Sequence, residues 1–355
     1  MARALTLARR GLQSTDPNPR VGCVLARDGV VVGEGWHRRA GEPHAEAIAL
    51  DTARERARGA TAYVTLEPCC HYGRTPPCTD ALLSAGISRL VAAMADPNPQ
   101  VAGKGLAILR EAGLAVECGV LEAEARALNP GFIRRMTTGR PFIRLKLAMS
   151  LDGRTALASG ASQWLTGEAA RLDVQRLRAR SSAILTGSGT LLADDPGLNV
   201  RLPDTERQPL RVILDTELRT PTTARTLPLP GSVLIVTAVS DPRRHAPLRE
   251  AGAELALVPR APGGTGLDLP AVMAELARRE CNEVQVECGP TLAGALLQAG
   301  LLDELVIYVA PLLLGDRARG LFQLPELAHM RERRELELLE TRAVGRDWRL
   351  TLRPR

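Results

Sequence analysis

His44 and Glu46 stand two apart in the run "GEPHAEAIAL", and Cys69 and Cys78 follow in "TLEPCCHYGRTPPCTDALL". One imidazole and two thiolates are zinc donors. Three protein ligands leave the fourth tetrahedral position to water, which marks a catalytic rather than a structural zinc. Zinc lowers the pKa of a bound water towards neutrality, and a carboxylate beside that water can move its proton; Glu46 is the carboxylate available. The spacing restricts the geometry. Helix positions two apart point to nearly opposite faces, so His44 and Glu46 converge only if His44 sits at the helix start, as Pro43 ahead of it suggests. Cys78 follows Pro76 and Pro77 and opens the next helix, where the macrodipole favours a thiolate.

His-x-Glu, Pro-Cys and a further Cys is the ligand set of a zinc nucleobase deaminase, in which the Glu is not a ligand. One feature departs from the compact form: the second thiol comes nine residues after the first rather than three. The loop between them could touch substrate through Arg74 or Thr75. Cys70 is a rival ligand to Cys69, which is favoured because it follows Pro68 directly. His71 reads as a solvated or substrate-edge residue. A closed structural zinc using Cys70 or His71 is the alternative, and it would leave Glu46 without a task. A disulfide framework does not suit seven cysteines in 355 residues.

These residues need a scaffold, and the flanking pattern describes one. A helix near 2–12 leads into "VGCVLARDG" and "VVGEGW", a hairpin with an Asp-Gly turn. A helix over "HAEAIALDTARERA", strands "TAYVTL" and "ISRLVAAM", a helix from Cys78 to Ala85, a helix near 104–112, strand "GLAVEC" and one helix "EAEARALNPGFIRRM" complete the first third. "TTGRP" suits a boundary, dividing the chain into residues 1–138 and 139–355. Beyond it strands and helices alternate again, with strands "PFIRLKLAM", "SAILTG", "LRVILD", "GSVLIVTA", "AELALV", "NEVQVECG", "DELVIYVAP", "ELELLETRAV" and "DWRLTLRP". The Pro- and Gly-rich segments 203–209, 221–231 and 259–270 read as surface loops.

Composition excludes several classes. No apolar run approaches the length of a membrane helix. The basic N-terminus "MARALTLARRGL" could be a mitochondrial-type presequence, but its apolar spacing fits an ordinary first helix, and cytoplasm is the expected location. Three Trp, three Tyr and three Phe are few for a base-stacking platform, and a net charge of +6 without a basic run speaks against nucleic acid. Small anions such as phosphates are the better partners. Of 46 Lys and Arg residues only Lys104 and Lys146 are lysines, which makes Lys146 a candidate for a needed ammonium.

"PNPRVGCV", "GEGWHRRAGEPHAEAIAL", "AYVTLEPCCHYGRTPPCTDALL" and "DPNPQVAGKG" resemble the deaminase half of the bacterial bifunctional riboflavin biosynthesis family, and "RPFIRLKLAMSLDGRTA", "SQWLTG", "LRARSSAILTGSGTLLADDPGLNVR" and "VECGPTLAGALLQAGLLDE" resemble its reductase half. The resemblance covers most of the chain in order and is weakest over 220–275. It implies an α/β protein: a cytidine-deaminase-like α/β/α sandwich followed by a dihydrofolate-reductase-like α/β domain. It implies hydrolysis of the 2-amino group of a diaminopyrimidine bearing a phosphoribosylamino side chain, then reduction of the ribosyl group by NADPH. One zinc per chain would be held by His44, Cys69 and Cys78, with Glu46 the proton carrier; Asn18 and His37 would line the pocket. A deaminase of a nucleoside or RNA base with a non-catalytic second domain is the competing reading.

"NEVQVECGPTLAGALLQAG" reads as strand, Gly-Pro turn and helix, and a helix start behind such a turn is an anion site. With the resemblance, Gly289, Pro290, Thr291, Leu292, Ala293, Gly294 and Ala295 become the segment for the NADPH diphosphate. Other cofactor contacts fall on Ala148, Trp164, Thr190, Asp194 and Thr216, and substrate contacts on Ser162, Arg178, Leu198, Arg201 and Glu287. Two arginines suit a phosphorylated substrate. Lys146 and Asp194 are the candidates for proton delivery or orientation. Cys288 sits where a small residue is usual and should be dispensable. The family's habit implies a homodimer or tetramer.

Overall fold

In the computed structural model, residues 1–72, 76–203, 205–263 and 266–355 are described. The chain forms two compact units, Met1–Arg140 and Pro141–Arg355.

The first unit contains α1 (Ala2–Ala8), β1 (Gly22–Arg27), β2 (Val30–Trp36), α2 (Ala45–Ala53), β3 (Thr61–Val64), α3 (Cys78–Ser84), β4 (Arg89–Ala92), α4 (Lys104–Glu111), β5 (Ala115–Cys118), α5 (Glu122–Leu128) and α6 (Pro130–Thr138). Its sheet runs β2-β1-β3-β4-β5. β1 is antiparallel to β2 and β3, while β3, β4 and β5 are parallel. Strand alternation sorts the core into two layers. Cys23, Leu25, Ala62, Val64 and Leu90 pack with α2, α3 and α4. Val24 turns the other way, against Ala4 and Leu7, and α1, α5 and α6 close that side around Met94. The result is the expected sandwich.

Small residues decide how closely α2 approaches. A Cβ on Gly33 would lie 2.3 Å from the Ala49 carbonyl oxygen, and one on Gly35 2.2 Å from that of Ala45. The facing helix stripe is itself Ala45, Ala49 and Ala53, all buried. This contact sets the height of α2 and, with it, of the residues at its start. The helix expected as one piece over 122–136 is two, broken at Asn129. Pro130 lacks an N–H and disfavours helical geometry in its predecessor. Asn129 instead pairs with Arg20, accepting from its N–H at 2.8 Å and donating to its carbonyl at 2.9 Å.

The second unit contains β6 (Phe142–Ser150), β7 (Arg154–Ala156), α7 (Glu168–Arg180), β8 (Ala183–Gly187), α8 (Ser188–Asp194), β9 (Leu210–Leu214), β10 (Val233–Thr237), α9 (Pro242–Glu250), β11 (Ala253–Leu257), α10 (Leu269–Arg278), β12 (Glu283–Val286), α11 (Pro290–Gln298), β13 (Glu304–Ala310), β14 (Arg319–Gly320), β15 (Leu336–Val344) and β16 (Asp347–Pro354). The main sheet is β11-β10-β9-β8-β12-β6-β13-β16-β15. It is parallel from β11 through β13, and the hairpin β15–β16 adds antiparallel. Ile143, Leu145 and Leu147 of β6 enter the larger core, so alternation sends Arg144, Lys146 and Ala148 to the opposite face.

Segment 221–231 departs from the surface-loop expectation: Ala224, Thr226 and Leu227 are buried. The cause is Arg211, fully buried in β9, whose guanidinium donates to the carbonyls of Thr226, Leu229 and Gly231. A buried guanidinium needs acceptors, and this loop folds inward to supply three carbonyls to its two terminal nitrogens.

Candidate functional site

His44 is the N-cap of α2, with extended backbone, and Glu46 lies in the first turn; each acts on the other's charge. Cys78 is the first residue of α3, behind Pro77. His44 Nδ1 lies 3.3 Å from Cys78 Sγ and 3.5 Å from Cys69 Sγ, and one donor atom from each of the three lies within 4.8 Å of the others. Zinc bonds of about 2.3 Å to sulfur and 2.0–2.1 Å to nitrogen require N···S edges of about 3.6 Å in a tetrahedron. The observed separations fit that size. Cys70 and His71 are not in the cluster; Arg74 and Thr75 lie outside the described residues.

The electrostatics agree. The hydrogen bond from the Cys78 side chain pulls the Cys69 thiol far down, against burial and with help from His44, while the same bond and burial push Cys78 up. A dication among the three donors would let both ionise. Glu46 is buried, and burial pushes its carboxyl up to about 7 against the pull of His44.

His37 is buried rather than at the surface. Its Nδ1 meets the Pro43 carbonyl at 3.1 Å, which requires a proton there, so Nε2 accepts from the Asn18 amide at 3.0 Å. The ring stands edge-on to His44 with centroids 5.3 Å apart. His37 thus fixes the approach to α2.

Glu67 was missed by sequence reasoning. Its carboxylate accepts from the N–H groups of Asp96 and Gly103 at 2.9 Å each and from Leu106 at 3.2 Å. A Cβ on Gly105 would lie 2.2 Å from the carbonyl oxygen of Pro68, the residue before Cys69. The "DPNPQVAGKG" segment is therefore the clamp that seats the first cysteine. The available signal was an acid directly before Pro-Cys.

In the second unit, Arg178 of α7 forms a forked ion pair with Glu287 at 2.7 and 2.8 Å and donates to the Asn199 carbonyl at 2.9 Å. Gln285 also donates to Glu287 at 2.7 Å. Burial would raise the Glu287 carboxyl, but Arg178, Lys146 and Gln285 outweigh it and hold it at about 2. Lys146, half-buried, is lowered by burial and by Arg178, against Glu287. These three form one cluster. Arg201 is exposed and has no side-chain partner among the described residues; burial, Arg178 and Arg225 lower it.

Gly289 caps α11 without a side-chain hydrogen bond, so the first N–H groups of the helix are open to an anion. Its own N–H donates to Thr190 Oγ1 at 3.2 Å. This fits a diphosphate. Thr291 is exposed and Pro290, Leu292 and Ala295 are half-buried, whereas Ala293 is buried and Gly294 lies so close to Gln323 that a Cβ would meet its carbonyl at 2.0 Å. Ala148 and Thr216 are half-buried, as is Ser162, and Leu198 is buried with φ of +51°. Trp164 is exposed under the Arg171 guanidinium at 4.8 Å. Asp194 is exposed at the end of α8 with no side-chain partner among the described residues. Cys288 packs at the core edge, its thiol pushed up to about 12 by burial and by Glu287.

The fold and its sites define a zinc-binding deaminase of the cytidine deaminase class joined to a dihydrofolate-reductase-like reductase. Residues 1–94 match the cytidine and deoxycytidylate deaminase zinc-binding region, and residues 141–350 match the RibD C-terminal domain. The riboflavin biosynthesis protein RibD of Escherichia coli strain K12 is 52% identical over 359 residues, covering 98% of this chain and 96% of that protein. Its counterpart from Haemophilus influenzae is 50% identical over 367 residues, covering 100% and 96%. Among solved structures, Acinetobacter baumannii RibD (form 1) superposes with a TM-score of 0.92 at 47% identity, covering 100% of this chain and 97% of that one. A Thermotoga maritima diaminohydroxyphosphoribosylaminopyrimidine deaminase/5-amino-6-(5-phosphoribosylamino)uracil reductase gives 0.88 at 34% identity, with the same coverage. The chain belongs to the RibD family of bifunctional riboflavin biosynthesis enzymes. It is a deaminase and a reductase, with zinc in the first half and a second half related to NADPH-dependent reductases. No helix among the described residues is long and apolar enough to cross a membrane.

Proposed function

We propose that the chain performs two consecutive steps on one phosphorylated pyrimidine. The first unit hydrolyses 2,5-diamino-6-(5-phosphoribosylamino)pyrimidin-4-one at its 2-amino group. The second reduces the product to 5-amino-6-(5-phosphoribitylamino)uracil with NADPH. The observation that carries this reading is the convergence of His44, Cys69 and Cys78, with Glu46 buried in the first turn of α2.

His44, Cys69 and Cys78 hold one zinc ion, which when bound supplies a water acidic enough to ionise near neutral pH. Glu46 takes the proton of the attacking water and passes it to the departing amine, so that the ring carbon gains oxygen and ammonia leaves. His37 and Asn18 form the pocket wall, with the remaining amide groups of Asn18 available to the ring.

In the second unit the open N–H groups of α11 and Thr190 hold the diphosphate of NADPH, whose nicotinamide supplies a hydride when bound. Ala148, Trp164, Asp194 and Thr216 line the rest of the cofactor's course. Lys146 delivers the proton to the ribosyl oxygen as the side chain opens, oriented by Glu287. Arg178 is spoken for by Glu287, so Arg201 is the arginine that meets the substrate phosphate, with Ser162 and Leu198 beside it. We further propose a cytoplasmic homo-oligomer. Leu336, Leu338 and Leu339 of the edge strand β15, with Trp348 of β16, are exposed, a pattern that favours pairing with another copy.

Chelation tests the division of labour. Removing zinc should abolish ammonia release from the diaminopyrimidine and leave NADPH oxidation with the deaminated substrate intact, and added zinc should restore the first. Undiminished ammonia release from metal-free protein would refute the reading.

A further inference from the structure

Adjacent parallel strands β12, β8 and β9 end side by side, and their C-terminal turns carry Gly289, Ser188 with Thr190, and Thr216 to Arg219 respectively. Hydrogen bonds link the first two turns, through Gly289 N–H to Thr190 Oγ1. They also link the last two, through Arg219 Nη2 to Ser188 Oγ at 3.1 Å. Strands lie about 4.8 Å apart, so the Arg219 turn stands about two strand spacings from the diphosphate opening, on the side where Thr216 marks the cofactor's course.

Four arginines crowd this edge, and three are committed. Arg243 forks onto Asp241 at 3.0 and 3.1 Å. Arg244 donates to the carbonyl of Glu217 at 2.7 Å. Arg260 pairs with the Glu217 carboxylate at 2.7 Å. Arg219 forms no close ion pair among the described residues: its one hydrogen bond goes to a neutral hydroxyl, and it acts on the Glu217 carboxylate only through longer-range attraction, behind Arg260. The commitment of Glu217 matters as much. In Rossmann-type folds an acid takes the ribose 2′-hydroxyl of NAD, whereas a nearby arginine accommodates the 2′-phosphate of NADP, and the same chemistry applies at this turn. Here the acid is paired with Arg260, and Arg219 keeps its guanidinium outside any close ion pair, steadied by Ser188 next to the turn that takes the diphosphate.

We propose that Arg219 is the residue that reads the 2′-phosphate and so selects NADPH over NADH, with Ser188 as the positioning residue that aims its guanidinium. The inference rests on the nicotinamide site proposed above. A forked guanidinium–phosphate contact is a charge-assisted pair, and NADH offers it nothing.

The test is titration calorimetry of the full zinc-loaded chain with NADPH, NADH and adenosine 2′,5′-bisphosphate, for the natural protein, Arg219→Ala, Arg219→Lys and the control Arg243→Ala. Loss of a charged hydrogen-bonding pair corresponds to about tenfold to a hundredfold in affinity. Arg219→Ala should lose that much for NADPH and for the bisphosphate, and change little for NADH. Arg219→Lys should recover part of the loss, and Arg243→Ala should match the natural protein. Equal losses for NADPH and NADH would make Arg219 a structural residue of the turn, and no loss for either would remove it from the site; each overturns the proposal. A natural protein that binds NADH as tightly as NADPH would also overturn it while leaving the nicotinamide site in place. Binding of neither nucleotide would remove that site, and this inference with it.

Discussion

The two units gather their reacting groups in opposite ways. In the first, His44, Glu46, Cys69 and Cys78 lie close in sequence, and two helix starts bring them together. In the second, the pairing of Arg178 with Glu287 spans 109 residues, and Lys146 comes from a third element. The first site depends on local chain geometry and on close backbone contacts at Gly33, Gly35 and Gly105. The second depends on a parallel sheet delivering distant residues to one edge. A metal site must hold its donors to fractions of an ångström. A charged cluster tolerates more, provided that each buried charge keeps its partner.

The comparison can be broken most severely at the metal. Cys78→Ser should abolish zinc retention, measured by mass spectrometry of the native protein, and with it ammonia release, while NADPH oxidation with the deaminated substrate continues. Glu46→Gln separates metal from proton transfer: zinc stays, and ammonia release falls about 10²–10⁴-fold. Cys70→Ser should leave both unchanged.

Arg178→Ala is the matching break in the second unit. It leaves the Glu287 carboxylate buried without its fork, at a cost of about 3–5 kcal/mol. Thermal unfolding should show the second unit destabilised and reduction lost, with ammonia release retained. The pH dependence has a definite sign. Glu287 has its carboxyl depressed from 4.5 to about 2 in the folded chain. Its stabilising contribution is therefore complete above pH 4.5 and is lost as pH falls towards 2. The stability difference between the natural protein and Glu287→Gln should shrink across that window; a constant difference would contradict the ion-pair account.

A smaller effect sharpens the contrast. Gly105→Ala drives a methyl into the Pro68 carbonyl, and overpacking of this kind costs about 1–3 kcal/mol. The first unit should melt earlier and bind zinc more weakly, while NADPH affinity stays constant.

The same contrast explains what was legible in the sequence. His44 at a helix start followed from the opposed directions of positions two apart, and Cys78 at the next start followed from Pro76-Pro77; both are local rules. The hairpin over residues 22–36 was equally plain from its Asp-Gly turn. Glu67 was not, because its role lies in accepting N–H groups from a loop about 30 to 40 residues downstream. Nor could the sequence show that Arg178 faces Glu287 rather than open solvent, or that Arg211 draws 221–231 inward. Long-range pairings leave no periodic trace. The break at Asn129 was local, carried by Pro130, and was passed over because helical spacing resumes on both sides.

The most direct test of the central claim follows ammonia and NADPH together, with zinc-loaded protein and the undeaminated diaminopyrimidine as sole pyrimidine substrate. The account predicts ammonia release first, then loss of NADPH absorbance in equal amount. Ammonia without NADPH loss, or neither signal, would contradict it.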